Sequence, residues 1–113
     1  MRIEVKGRNV TIGDELRERI EKRFAKVARQ VSPLARMEVE LKEERNPSIR
    51  ASQVAEATLY LKGVTLRASE ATESMQHSIN VVADELGRQV KRHRDKRRGR
   101  RGSTRVQPRE ATP

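Results

Sequence analysis

Between Arg88 and Arg101 the chain places nine Lys or Arg side chains against one acid, Asp95, a net of +8 within fourteen positions. Residues 1–87 carry a net of only +1, so almost all of the +10 of the whole chain sits in this one stretch. Two or three basic residues suit the negative end of a helix dipole. Nine exceed that need and repel one another unless an anion compensates them, so the chemistry on offer is phosphate binding rather than a merely solvated charge run. A second stripe, Arg19, Lys22, Lys26 and Arg29, is spaced by three, four and three residues and lines one edge of a helix. Alone it reads equally well as a solvated face with pairs such as Glu18 with Lys22. Beside the first stretch, a joint basic groove is the expectation. The candidate polyanion contacts are therefore Arg19, Lys22, Lys26 and Arg29, with Arg88, Lys91, Arg92, Arg94 and Lys96.

A sequence pI near 11 with charge this uneven points to nucleic acid. An anionic membrane surface is the weaker reading, because the basic face has no interleaved Trp or Phe. The chain holds one Phe, one Tyr and no Trp. Readout of splayed bases is therefore not the expected main mode, and contacts to the phosphates and sugars of a folded RNA fit better. Such contacts weaken steeply with salt.

Enzymatic readings find little support. There is no cysteine, and the two histidines, His77 and His93, are too few for a histidine-rich metal site. Glu43 and Glu44 sit at a strand end without a patterned cleft. Neither a phosphate-binding Gly-rich loop nor a Gly-x-Ser-x-Gly turn is present. The expectation is a non-enzymatic protein with no cofactor, no metal and no small-molecule substrate. The first residues lack the apolar run of a signal peptide and no stretch is long enough to span a bilayer, so the expected location is the cytoplasm with no membrane partner.

The elements that position these side chains follow from apolar spacing. Arg2 to Lys6 alternates as a short strand. Leu16, Ile20, Phe24, Val27 and Val31 recur at three- and four-residue steps, predicting a helix from Asp14 to about Val31, with Thr11 and Asp14 as its start signal and Ser32-Pro33 as its stop. Met37, Val39 and Leu41 mark a second strand, and Glu43 to Gln53 reads as a loop. Ala55 to Leu61 and Val64 to Ser69 are two strands joined by a tight Lys62-Gly63 turn. Met75, Ile79, Val82, Leu86 and Val90 form one face of a final helix, with Thr72 or Ser74 as cap. His77, Asp84, Arg88, Lys91 and Arg92 lie on its opposite face. The predicted class is α+β, order β-α-β-β-β-α, with a four-stranded sheet carrying both helices on its single apolar face. Residues 1–98 form this domain; 99–113, rich in Gly, Ser, Pro and Arg, read as a basic flexible tail or linker.

These features resemble the ribosome hibernation-promoting factor family, also called ribosome-associated inhibitor or sigma-factor modulation protein. The resemblance rests on the element order, on Val54-Ala55-Glu56-Ala57-Thr58-Leu59 with its Lys62-Gly63 turn, and on the last helix: Met75, Ser78-Ile79-Asn80, Asp84-Glu85-Leu86 and Gln89-Val90-Lys91. It spans Met1 to about Arg98. It implies a fold similar to a double-stranded-RNA-binding domain with an added strand. It also implies binding to the small ribosomal subunit and its rRNA, in the mRNA and tRNA channel, with translation inhibited by occupancy. On it, Arg88, Lys91 and Arg92 carry over as rRNA contacts, and Lys22 and Lys26 fit the first helix. The family commonly has Asp-Met-Tyr-Ala-Ala-Ile-Asp where this chain has Ser74-Met75-Gln76-His77-Ser78-Ile79-Asn80. Long members add a C-terminal domain that pairs ribosomes. The rival readings are a general double-stranded-RNA or nucleic-acid binder, and a protein-interaction module that modulates a transcription factor.

Overall fold

A computed structural model describes the backbone of residues 1–106 and the side chains of residues 1–97. Six elements occur in the expected order: β1 (Arg2–Arg8), α1 (Asp14–Ala28), β2 (Arg36–Glu43), β3 (Gln53–Leu61), β4 (Val64–Thr72) and α2 (Met75–Val106). The strands lie in the sheet order β1-β2-β3-β4. β1 and β2 are parallel, linked through α1, and β2-β3-β4 is an antiparallel meander.

Alternation decides which way the sheet faces. Met37, Val39 and Leu41 of β2, with Ala55, Ala57 and Leu59 of β3 and Ala68 of β4, point inward and are buried. They meet Ile20, Phe24 and Val27 of α1 and Ile79, Val82, Ala83, Leu86 and Val90 of α2 in one core. α2 lies against β3 and β4, and α1 packs beside it. The small inward side chains Ala55, Ala57 and Ala68 let α2 approach its strands closely, while the bulk of Phe24 and Ile20 fills the space beneath α1.

Several ends differ from expectation. β1 runs two residues past Lys6 and β4 three past Ser69, because ladder pairing at Gly7↔Leu41, Arg8↔Lys42 and Gln53↔Thr72 is a backbone matter that needs no apolar alternation. α1 stops at Ala28, three residues before Val31; its last turn is closed by Arg29 N–H donating to Ala25 O at 3.1 Å and Gln30 N–H to Val27 O at 3.0 Å. Thr11 does not cap it. The N-cap is Gly13, with no side-chain hydrogen bond, and Asp14 and Glu15 complement the dipole instead. Ser74 does cap α2: its Oγ accepts from His77 N–H at 3.3 Å. That helix runs to Val106. Residues 107–113, the rest of the expected tail, lie outside the described residues.

Two turns depend on particular residues. Gly63 has φ +81, a left-handed conformation that glycine takes without strain, in the two-residue turn between β3 and β4. Gly7 faces Val10 O so closely that a Cβ there has no room. Asn9, at φ 61, takes a conformation Asn tolerates and donates from Nδ2 to Glu43 O at 3.4 Å, tying the first turn to the end of β2.

The outer sheet face is polar. Glu38 accepts from Arg36 Nη1 at 2.8 Å and from Tyr60 Oη at 3.0 Å, and the Arg36 guanidinium lies 4.2 Å from the Tyr60 ring centroid. The Tyr60 hydroxyl first, and Arg36 second, hold the Glu38 carboxyl below its ordinary value. A carboxylate depressed in the folded state contributes stability that is present above its unfolded pKa, about 4.3. That contribution is lost as pH falls through the lower folded value. Glu38→Gln is therefore expected to lower the melting temperature at pH 7, with the gap to the parent closing below about pH 4. Parallel thermal melts at the two pH values measure it.

Candidate nucleic-acid interface

α1 and α2 run side by side on the sheet, and their solvent-facing edges enclose a groove of about 560 Å³. The spacing of Lys22, Lys26 and Arg29 along α1 places all three on this edge, and Arg88 and Lys91, one turn apart on α2, face them. Three residues of the α1 stripe and two of the α2 stretch are thus brought together as two walls of a single groove. With Arg23, the lining holds six cations and one carboxylate, Asp84. Such a concentration of one sign beside a low-dielectric core raises the local potential and draws in anions.

The other expected residues are placed differently. Arg19 is half-buried and is not part of the groove lining. Arg92 and Lys96 are exposed farther along α2, outside the groove. Arg94 turns toward the end of α1, where its Nη1 donates to Gln30 Oε1 at 3.2 Å. His77, Asp84, Arg88, Lys91 and Arg92 are all exposed, as expected for the face opposite the apolar stripe.

Two carboxylates tune the groove. Asp84 Oδ1 lies 3.4 Å from Arg23 Nη2 and bridges the two helices at the surface. Arg88 donates from Nε and Nη2 to Glu85 Oε1 at 3.2 and 2.8 Å, and Arg92 lies 3.8 Å from the other Glu85 oxygen. The Arg88 hydrogen bonds, followed by that from Gln89, hold the Glu85 carboxyl below its ordinary value, so it stays charged at neutral pH. Arg88 is thereby held in one orientation but partly neutralised, whereas Lys22, Lys26 and Lys91 are exposed.

Arg23, Gly87 and Gln30 were not foreseen as parts of the site. Arg23 falls between the stripe residues in α1, and only the neighbouring helix shows that it reaches Asp84. Gly87 lies in the groove, and a Cβ built there meets nothing within 4 Å. Gly87→Ala is therefore expected to stabilise the helix by about 0.5–1 kcal/mol with the groove still open. Gly87→Trp is expected to fill the groove and weaken polyanion binding. Thermal melts paired with RNA titrations separate the two effects; equal binding by both variants would show that the ligand lies elsewhere.

Among the described residues no group of three or more His, Cys, Asp or Glu is arranged to hold a metal ion. No helix among them is long and apolar enough to cross a membrane.

Comparison with known proteins places this geometry among ribosome-associated factors. The pattern of the family described as Sigma 54 modulation protein / S30EA ribosomal protein matches residues 3–98. A ribosome hibernation promoting factor of Salmonella typhimurium is 32% identical over 96 residues, covering 85% of this chain and 96% of that protein. A ribosome hibernation promotion factor of Picosynechococcus is 25% identical across 100% of this chain, which spans 59% of that relative's length. The crystal structure of the Thermus thermophilus Protein Y N-terminal domain superposes with a TM-score of 0.72 at 29% identity, covering 82% of this chain and 99% of that one. A ribosomal subunit interface protein from Coxiella burnetii shares the fold, with a TM-score of 0.68 at 19% identity over 84% of this chain and 99% of that one.

Proposed function

We propose, from the premise that this chain belongs to the Sigma 54 modulation protein / S30EA ribosomal protein family, that it silences translation by occupying the small ribosomal subunit. The observation that carries this reading is the groove in which Lys22, Lys26 and Arg29 of α1 stand opposite Arg88 and Lys91 of α2. A pre-folded cationic cleft of this kind takes the place of nothing covalent. It sits where mRNA and tRNA phosphates otherwise run, and its affinity comes from counterion release and shape. Arg92 and Lys96 extend the basic surface along α2, and Arg19 flanks it on α1. The protein acts without catalysis, in the cytoplasm where ribosomes work, with rRNA as the molecule it touches.

The test is co-sedimentation with purified small subunits, coupled to a translation assay, across salt from about 50 to 200 mM. Binding is expected to fall steeply over that range, by about 10³-fold or more if six phosphates are engaged. It is also expected to survive excess duplex RNA and to track the loss of translation. Equal competition by plain duplex would reduce the protein to a general RNA binder. Binding that persists on nuclease-treated material, with no response to salt, would indicate a protein partner instead.

A further inference from the structure

Beyond the groove, at the end where α1 hands over to β2, lies a second cleft of about 320 Å³. We propose that this cleft receives a single nucleoside phosphate unit, its base against an aliphatic floor and its phosphate at a cationic rim. Val31, Leu61 and Val90 supply the floor, drawn from the end of α1, the end of β3 and the buried face of α2. Lys62, His93, Arg94 and Arg97 supply the rim.

The two clefts differ in chemistry. The groove between the helices is walled almost entirely by cations and suits a phosphate backbone. The second cleft joins a substantial apolar surface to three permanent positive charges and an imidazole. Its size is at the lower end of cavities that hold small molecules, about 300–1,000 Å³. A ligand matched to it needs a flat, weakly polar body and an anionic end, which a nucleotide has. With no Phe, Tyr or Trp in the lining, the His93 imidazole and the Arg94 guanidinium are the planes on which a base stacks.

Gln30 lines both clefts and forms the partition. Its Nε2 donates to Lys26 O at 3.2 Å and its Oε1 accepts from Arg94 Nη1 at 3.2 Å, so the partition and the guanidinium are held together. Arg94 Nε is buried without a hydrogen-bond partner; Asp95 Oδ1, at 3.9 Å, is within ion-pair range but too far for a hydrogen bond. A strand whose phosphates follow the groove reaches this partition and has a cavity beyond it for one turned-out base. That source of the nucleotide rests on the function proposed above; a free nucleotide offers the same chemistry.

The experiment is a titration of the full chain followed by backbone amide NMR, with AMP, ribose 5-phosphate and inorganic phosphate as separate probes. A short single-stranded RNA is added with and without one abasic site. AMP is expected to move the amides of Leu61, Lys62 and His93 and to saturate. Ribose 5-phosphate and phosphate are expected to be about 10-fold weaker, the loss of one stacked base. Lys62→Glu and His93→Ala are each expected to weaken AMP without shifting core resonances. Intact RNA moving both clefts, while the abasic RNA moves only the groove amides near Lys22 and Gly87, assigns the base to the polymer. A response to AMP but not to either RNA assigns it to a free nucleotide. Equal shifts from AMP, ribose 5-phosphate and phosphate would overturn the proposal. So would silence at Leu61, Lys62 and His93 with every probe while the groove responds, a result that leaves the groove reading intact. Silence of the groove with RNA, beside saturable AMP binding in the cleft, would remove the groove reading alone.

Discussion

Reversing Lys22, Lys26 and Lys91 to Glu together is expected to lower affinity for small ribosomal subunits by at least about 100-fold at low salt. All three are exposed, line the same groove and reach across it from two helices. Each phosphate contact contributes about one unit to the slope of log affinity against log salt, so the slope is expected to fall by about three. The fold is expected to remain, since none of the three side chains enters the core; unchanged far-ultraviolet circular dichroism verifies this. Arg92→Glu with Lys96→Glu, outside the groove, is expected to cost far less. Equal losses from the two sets would mean that net charge alone governs binding. Undiminished co-sedimentation of the triple variant would end the case for the groove.

The second large effect is structural. Phe24 is fully buried and is the largest side chain in the core, where α1 meets the sheet. Phe24→Ala is expected to destabilise the protein by about 3–5 kcal/mol, from lost burial and the cavity left behind. A domain of this size commands only about 5–10 kcal/mol in total. With the only phenylalanine gone, α1 loses its anchor and Lys22 and Lys26 lose their fixed place opposite Lys91. Phe24→Leu, which keeps most of the volume, is expected to cost less than half as much. Denaturant melts of the two variants make the comparison; a small loss for Ala would mean that the core closes around the gap.

The order of the elements and the apolar faces were legible because both rest on local periodicity. Met37-Val39-Leu41 alternates and Ile20-Phe24-Val27 recurs at helical steps, and burial follows those positions. The ends were less legible because pairing and capping depend on neighbours distant in sequence. Gly7 and Arg8 belong to β1 only because Leu41 and Lys42 stand beside them. Val31 continues the spacing of α1, yet the chain has already turned toward β2. In the site, Lys22, Lys26, Arg29, Arg88 and Lys91 could be named from charge and spacing. The Arg23–Asp84 bridge and the open place at Gly87 could not, because they depend on which edges the two helices turn toward each other.

The parallel pairing of β1 with β2 bears on how the molecule assembles. Each partnered pair, such as Arg2 with Arg36, is 34 residues apart in the chain, whereas Leu61 and Val64 meet across a two-residue turn. Closing the longer loop costs more entropy before any contact rewards it. The β3–β4 hairpin is therefore expected to nucleate early and the N-terminal strand to zip on last. As an edge strand with a single neighbour, it is also expected to open first in hydrogen exchange, with its amides losing protection while those of β3 are still guarded.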